Sequence, residues 1–491
     1  MKKFIIILTC LFAGLICFGC NKSDNINSLS KGLTNYDIKL TLDAENMQAT
    51  ATQTVSYVNQ TGAILKHVKF HLYPQFFEYG ATNNVISPTQ LNNAYPNGMS
   101  YAEFNIDRVK ANGIDGTVQY EGEHDGILVV TLNNSLTPNE VCEIEIDFSF
   151  TLPNCNHRFG YGENTINLAN FYPIACVFEN GEFSTNPYHP NGDPFYSDMA
   201  NYCVTITHSS QYIVASSGKE TNKQTSENTT TTTFKANMIR DFAMVLSNQF
   251  KTISSEHNNT KIYYYYFSDN SPETSLKAGT DSIKTFSKLF GEYPYATFSI
   301  VETNFVHGGM EYPNLVMISN EIESQDDYLN VIIHETAHQW WYGLVGNDEF
   351  KHPWLDEALT EFATVLFYDN NEGYNLTHKQ IIDTASENYA LFVSVYEDVL
   401  GSLDTSMRPV DKYQTEPEYT YCIYVKGALM FDSLYQLIGK NNFLNSLKTY
   451  YNQNRYTNTT PTDLISAFEQ GSNTKLNNFF SAWLNGKVQI R

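Results

Sequence analysis

A chain of 491 residues with 42% hydrophobic and 14% aromatic content can build two or more cored domains, which argues against a lone small binding module and against extended disorder. Its formal charge of −23 repels phosphate backbones and argues against nucleic acid as a partner. Of the eight cysteines three lie within the first twenty residues, and the five in the body, 142, 155, 176, 203 and 422, include no CxxC pair, so neither a disulfide framework nor cysteine metal ligation is expected, although an exported chain could close one or two bridges.

The chain opens with Lys2 and Lys3, an apolar run over 4–18, then Gly19 and Cys20. The run is shorter than the roughly 20 residues that span a bilayer, and its charged front and small-residue exit read as an export signal. A small residue directly before a cysteine resembles the lipobox of bacterial lipoproteins. Residues 1–19 are then removed and Cys20 carries a lipid, tethering the protein to the outer face of the cell membrane; secretion is the alternative. Residues 20–34 are polar and rich in Ser and Asn, as in a flexible tether. Over 35–255 apolar residues alternate, as in Ile38, Leu40 and Leu42 or Ile144, Ile146, Phe148 and Phe150, which predicts an all-β domain. The threonine run at 229–233 reads as an exposed strand or hairpin arm.

From 256 to 491 the period becomes mainly helical. Ser271 and Pro272 open one helix, Thr460 and Pro461 another, and further helices are predicted over 356–368, 381–400 and 427–437. Short strands are predicted at 297–301 and 315–318. The fold class is therefore α+β, multidomain, with a β domain preceding a mainly helical one.

Chemistry concentrates in the stretch from Val331 to Trp341, which contains HExxH. Residues four apart share a helix face, so His334 and His338 can bind one cation through imidazole nitrogens, with Glu335 within reach of a water at that cation. A catalytic zinc site needs three protein ligands and an open position. A candidate for the third is Glu357, which follows His338 after eighteen intervening residues, in Trp354-Leu355-Asp356-Glu357.

HExxH, eighteen residues, then Glu in a Trp-Leu-x-Glu stretch closely resembles the gluzincin aminopeptidases of the M1 family. The resemblance implies one Zn²⁺ per chain held by His334, His338 and Glu357, a saddle-like β domain, and a thermolysin-like catalytic domain. Upstream, Gly308, Gly309, Met310 and Glu311 resemble the family's Gly-x-Met-Glu strand, which implies that they bind substrate and that Glu311 receives its free α-ammonium group. Downstream, Tyr424 with Lys426 and Gly427 resembles the Tyr-x-Lys-Gly motif, whose hydroxyl stabilises the oxyanion. The resemblance extends to Arg240-Asp241-Phe242-Ala243 and to Phe479, Phe480 and Trp483. The β domain's own contribution to the amine site corresponds to Asn170, a shorter amide than the family's Gln or Glu. The implied function is removal of N-terminal residues from peptides, with Glu335 as general base to a zinc-activated water. Because the chain stops soon after Gly486, where larger members continue into further domains that roof the cleft, an endopeptidase is one alternative. A non-catalytic peptide-binding lipoprotein is the other.

Overall fold

The computed structural model describes residues 26–81, 85–401, 403, 406–488 and 490. The export signal and Cys20 lie outside the described residues. The described chain starts with one helical turn, Ile26–Leu29, and Asn201 Nδ2 donates to the Ser30 carbonyl, so this part of the expected tether already engages the β domain. Among the described residues no helix is long and apolar enough to cross a membrane, and Cys142, Cys155, Cys176, Cys203 and Cys422 are free thiols.

The expected α+β architecture is present. In the first half, an eight-stranded sheet packs with two four-stranded sheets. Strand Asn35–Asp43 alternates strictly between exposed and buried residues, pairing antiparallel with Gln48–Val58 and parallel with Ala200–Ser209. Its period of two places Ile38, Leu40 and Leu42 on the core face, and Val141–Thr151 does the same with Ile144 to Phe150. The Phe148 and Phe150 rings lie 5.6 and 6.4 Å from Phe104, and each buried aromatic contributes about 2 to 3 kcal/mol.

The threonine run forms the hairpin arm expected of it, with Lys219–Thr225 as the other arm, but it is not exposed. Strand Thr229–Ile239 is flanked on both sides, by Ala200–Ser209 and by the edge strand Lys219–Thr225. Thr230 and Thr232 are consequently buried, while Thr231 and Thr233 pair through their hydroxyls with Thr207 and Thr205, each at 2.9 Å. A β-branched side chain that satisfies its own hydroxyl across strands suits an interior strand as well as an exposed one.

The second half is built on a five-stranded sheet, ordered Lys251–His257, Thr260–Tyr266, Thr297–Thr303, Leu315–Ser319, Gly309–Met310. It begins a few residues ahead of the boundary read at 255. Helix Pro272–Leu289 follows Ser271 as expected, although the Ser271 side chain makes no cap bond, whereas Thr460 and Asp463 form a full capping box on Pro461–Ser472. The two halves are tied by Arg240, buried at 2% exposure: Nε donates to the Tyr342 carbonyl at 2.8 Å, Nη1 to Ser197 at 2.9 Å and Nη2 to Thr457 at 2.5 Å.

One staple holds three helices around the site. His378, first residue of His378–Leu400, reaches Asp369 at the end of Glu357–Tyr368 (3.1 Å) and Asp432 in Lys426–Ile438 (2.7 Å). The hydrogen bonds to Asp369 and then Asp432 raise its pKa from 6.5 to about 9. A folded-state pKa above the unfolded one gives stability that is complete below about pH 6.5 and fades as pH rises to about 9. His378→Gln is therefore expected to lower stability by about 1 to 2 kcal/mol near pH 6, screening at this partly buried site included. Thermal midpoints of the two proteins should converge above about pH 9; a gap independent of pH would show that the charge contributes nothing.

Candidate active site

The helix Gln325–Ala337 starts at Ser324, whose side chain caps Asp327 N, and ends one residue before His338. His334 and His338 thus lie one turn apart on its last turn, with Nε2 atoms 3.1 Å from each other. Both face Glu357 Oε2, at 3.4 and 3.2 Å. Glu357 is the first residue of the next helix, and Asp356 caps its amide at 2.8 Å. The His338 ring is oriented from behind: Nδ1 lies 2.9 Å from the Trp341 carbonyl, so Nδ1 carries the proton and the Nε2 lone pair faces the cluster. His334 Nδ1 lies 3.4 Å from Glu361, four residues after Glu357 on the same helix face. Burial alone would raise Glu357, but His338 and His334 hold it well below the usual carboxylate range.

Glu335, 6% exposed, sits beside this trio without joining it, and its Oε2 has no hydrogen-bond partner. Its place depends on Gly309: a Cβ there would meet Glu335 Oε1 at 2.3 Å. The glycine pair of the motif thus makes room for the carboxylate as well as for a ligand backbone. Burial, and next the Glu311 charge, push Glu335 well above the usual carboxylate range. Tyr424 comes from a π-helical turn, Tyr421–Val425, and its hydroxyl donates to Glu357 Oε1 at 2.6 Å. Gly427, three residues on, packs so tightly on the neighbouring helix that a Cβ would lie 2.3 Å from Ala358 Cβ.

Gly308, Gly309 and Glu311 line a cavity of about 350 Å³ together with the trio, Glu335 and Tyr424. Met310 does not, contrary to the reading of it as a substrate contact. Alternation on strand Gly309–Met310 turns it into the core, at 1% exposure, with its sulfur 3.1 Å from Arg158 Nη1. Asn170 is likewise consumed elsewhere: it donates to Asp241 at 2.7 Å and accepts from Tyr312 at 2.7 Å, bracing the residue after Glu311 from behind. Burial pushes Asp241 up to about 7.

The β domain adds to the cavity lining residues that no motif marks. Arg158, 4% exposed, pairs with Asp193 at 2.6 Å and lies 4.8 Å from the Phe195 ring centre. Atoms of Asp193, Glu311 and Glu357 come within 4.8 Å of one another. Gly192, at φ +79°, has no room for a side chain beneath the Tyr419 hydroxyl, so this loop is seated against the catalytic half. Glu361 was legible as a helical neighbour of Glu357; Arg158 and Asp193 carried no spacing signal, since their relation to the site exists only after folding.

Residues 274–483 match the family model for the Peptidase family M1 domain. Aminopeptidase N of Escherichia coli is 28% identical over 218 residues, 42% of this chain and 24% of that protein. Aminopeptidase N of Haemophilus influenzae is 28% identical over 199 residues, 38% and 22%. The matched stretches span about a quarter of these relatives' length. Among solved structures, an M1 zinc metallopeptidase from Deinococcus radiodurans superposes with TM-score 0.64 at 17% identity, covering 93% of this chain and 94% of that one. A mutant of it bound to a Tyr-Ser-Ala substrate gives 0.63 at 16%, with 93% and 94% covered. This chain has the fold of the two-domain M1 zinc metallopeptidases, and the match to the peptidase family M1 domain falls on the half that holds the His334, His338 and Glu357 cluster.

Proposed function

We propose that the protein is a zinc aminopeptidase that removes residues from the free N-terminus of peptides. The observation that carries this reading is the placement of Glu311 in the same cavity as the His334, His338 and Glu357 trio, with Asp193 beside it.

The donor set fits one zinc ion: two imidazole nitrogens and one carboxylate converge within 4.8 Å, with His338 locked in the tautomer that frees Nε2. Held there, zinc would supply a Lewis acid at the scissile carbonyl. Glu335 Oε2, unpartnered and beside the trio, accepts the proton of the attacking water and then passes it to the leaving amine. Tyr424 stands on the opposite side of Glu357, where its hydroxyl can shift from Oε1 to the oxygen that gains charge. The Glu311 carboxylate accepts hydrogen bonds from the substrate's α-ammonium group, which fixes the first peptide bond at the trio. Arg158 and Asp193 line the same cavity next to Glu311, and a buried acid pocket beside the trio supports exopeptidase action over cleavage within a chain.

The deciding experiment compares a peptide with its N-acetylated form while zinc per chain is measured. The free peptide is expected to be cleaved roughly 100-fold faster, the worth of losing a buried charged hydrogen-bond set. Equal rates for the two would sink the aminopeptidase reading in favour of an endopeptidase; zinc binding with no hydrolysis of either would favour the non-catalytic alternative.

A further inference from the structure

Behind Glu311, away from the cavity, the structure buries a second group of acids. Glu311, Glu349 and Asp356 are 3%, 2% and 2% exposed, and one carboxylate oxygen from each lies within 4.8 Å of the other two. Three adjacent carboxylates out of water cannot all remain ionised without a compensating charge. Asp356 is partly satisfied, since its Oδ1 caps the Glu357 amide at 2.8 Å. Glu349 is not: neither of its oxygens has a hydrogen-bond donor, and Glu311 Oε1 has none either. Burial, and next the charges of Asp356 and Glu311, raise Glu349 well above the usual carboxylate range.

One proton on Glu349 joins two of these three oxygens, the Glu349 oxygen that bears it and Glu311 Oε1, and leaves the second Glu349 oxygen as an acceptor. A neutral carboxylic acid donates one strong hydrogen bond and accepts another, and a span of this size is covered by a direct bond or one bridging water. The Tyr342 hydroxyl, itself buried and without a partner, is a further polar group in this interior, with Glu349 and Glu311 among the charges acting on it. Glu349 lies in the eighteen-residue connection between His338 and Glu357, so the segment that spaces the zinc ligands also delivers this acid.

We propose that Glu349 is a positioning residue, held as a neutral carboxylic acid that donates a hydrogen bond toward Glu311 and keeps the Glu311 carboxyl group aimed into the cavity. The inference rests on the aminopeptidase reading for its functional consequence, though not for the protonation itself. Glu349 touches no substrate. It acts by satisfying the buried side of Glu311 so that the other side is free to receive an ammonium group.

The test uses the full zinc-loaded chain and the variants Glu349→Gln and Glu349→Leu. A glutamine reproduces the shape and donor of the neutral acid, so Glu349→Gln is expected to keep KM for free-amine substrates within about 3-fold. Glu349→Leu is expected to raise that KM roughly 10- to 100-fold, with kcat changed much less and one zinc per chain retained. Infrared difference spectra at neutral pH should show the carbonyl band of a protonated carboxylic acid in the wild type and lose it in Glu349→Gln, a readout that needs no activity and survives if Glu349→Leu fails to fold. Absence of that band, or a Glu349→Gln variant as impaired as Glu349→Leu and rescued by an added hard cation, would overturn the proposal in favour of an ionised cluster that binds a metal. A wild type that shows the band yet cleaves N-acetylated peptides as fast as free ones would uphold the neutral acid and overturn the aminopeptidase reading instead.

Discussion

Glu335→Gln is expected to reduce kcat by roughly 1,000- to 10,000-fold while leaving one zinc per chain. The separation of the two effects follows from geometry. Glu335 shares the last helical turn with His334 and His338, yet its carboxylate lies outside the trio, in the pocket that the bare Gly309 leaves open. Glutamine fits that pocket, since it adds no atoms, but it cannot accept a proton at the position of Oε2. KM should move little, because Glu335 contributes to the reaction rather than to holding the substrate. Steady-state kinetics alongside metal analysis checks this. A variant with full zinc and wild-type turnover would remove Glu335 from the mechanism.

For the base to work it must be ionised, and burial with the Glu311 charge nearby opposes that in the metal-free site. A bound divalent cation changes the balance, since a positive charge within a few ångströms favours the carboxylate. On the proposed mechanism, ionisation of Glu335 therefore depends on an occupied trio.

Tyr424→Phe should lower kcat roughly 100- to 1,000-fold, the usual worth of one oxyanion donor, about 3 to 4 kcal/mol. Here the structure adds a second consequence. The Tyr424 hydroxyl donates to Glu357 Oε1 at 2.6 Å, so its removal also leaves a metal-ligand carboxylate short of one hydrogen bond. Zinc affinity is then expected to weaken by roughly 10-fold, in the range seen for groups that orient metal ligands. Titrating zinc into both proteins and measuring kcat at saturating metal separates the contributions. If saturating zinc restored full turnover, the hydroxyl would matter only to the ligand.

The zinc trio was legible because helical spacing is a local property. His334 and His338 are one turn apart wherever that helix sits, and an N-terminal helix residue after a fixed connection is a strong companion signal. The strands at 38–42 and 144–150 were legible for the same reason, since period-two burial is written in the order of the side chains. The threonine run is the hairpin arm its composition predicts, but propensity does not say how many neighbours a strand gains, and Lys219–Thr225 took the edge, which buries Thr230 and Thr232.

What the sequence by itself determined is a cluster: His334 and His338 one turn apart with Glu335 between them, and Glu357 at the start of a second helix, the set read there as a zinc site and its base. Tertiary structure decided which groups share the cavity. It turned Met310 into the core, spent Asn170 on Asp241 and Tyr312, and brought Arg158, Asp193 and Glu349 to the Glu311 neighbourhood from separate parts of the chain. The physical reason is that ligand geometry within a helix follows from backbone periodicity, whereas charge compensation among buried groups depends on distances that exist only once both halves have packed.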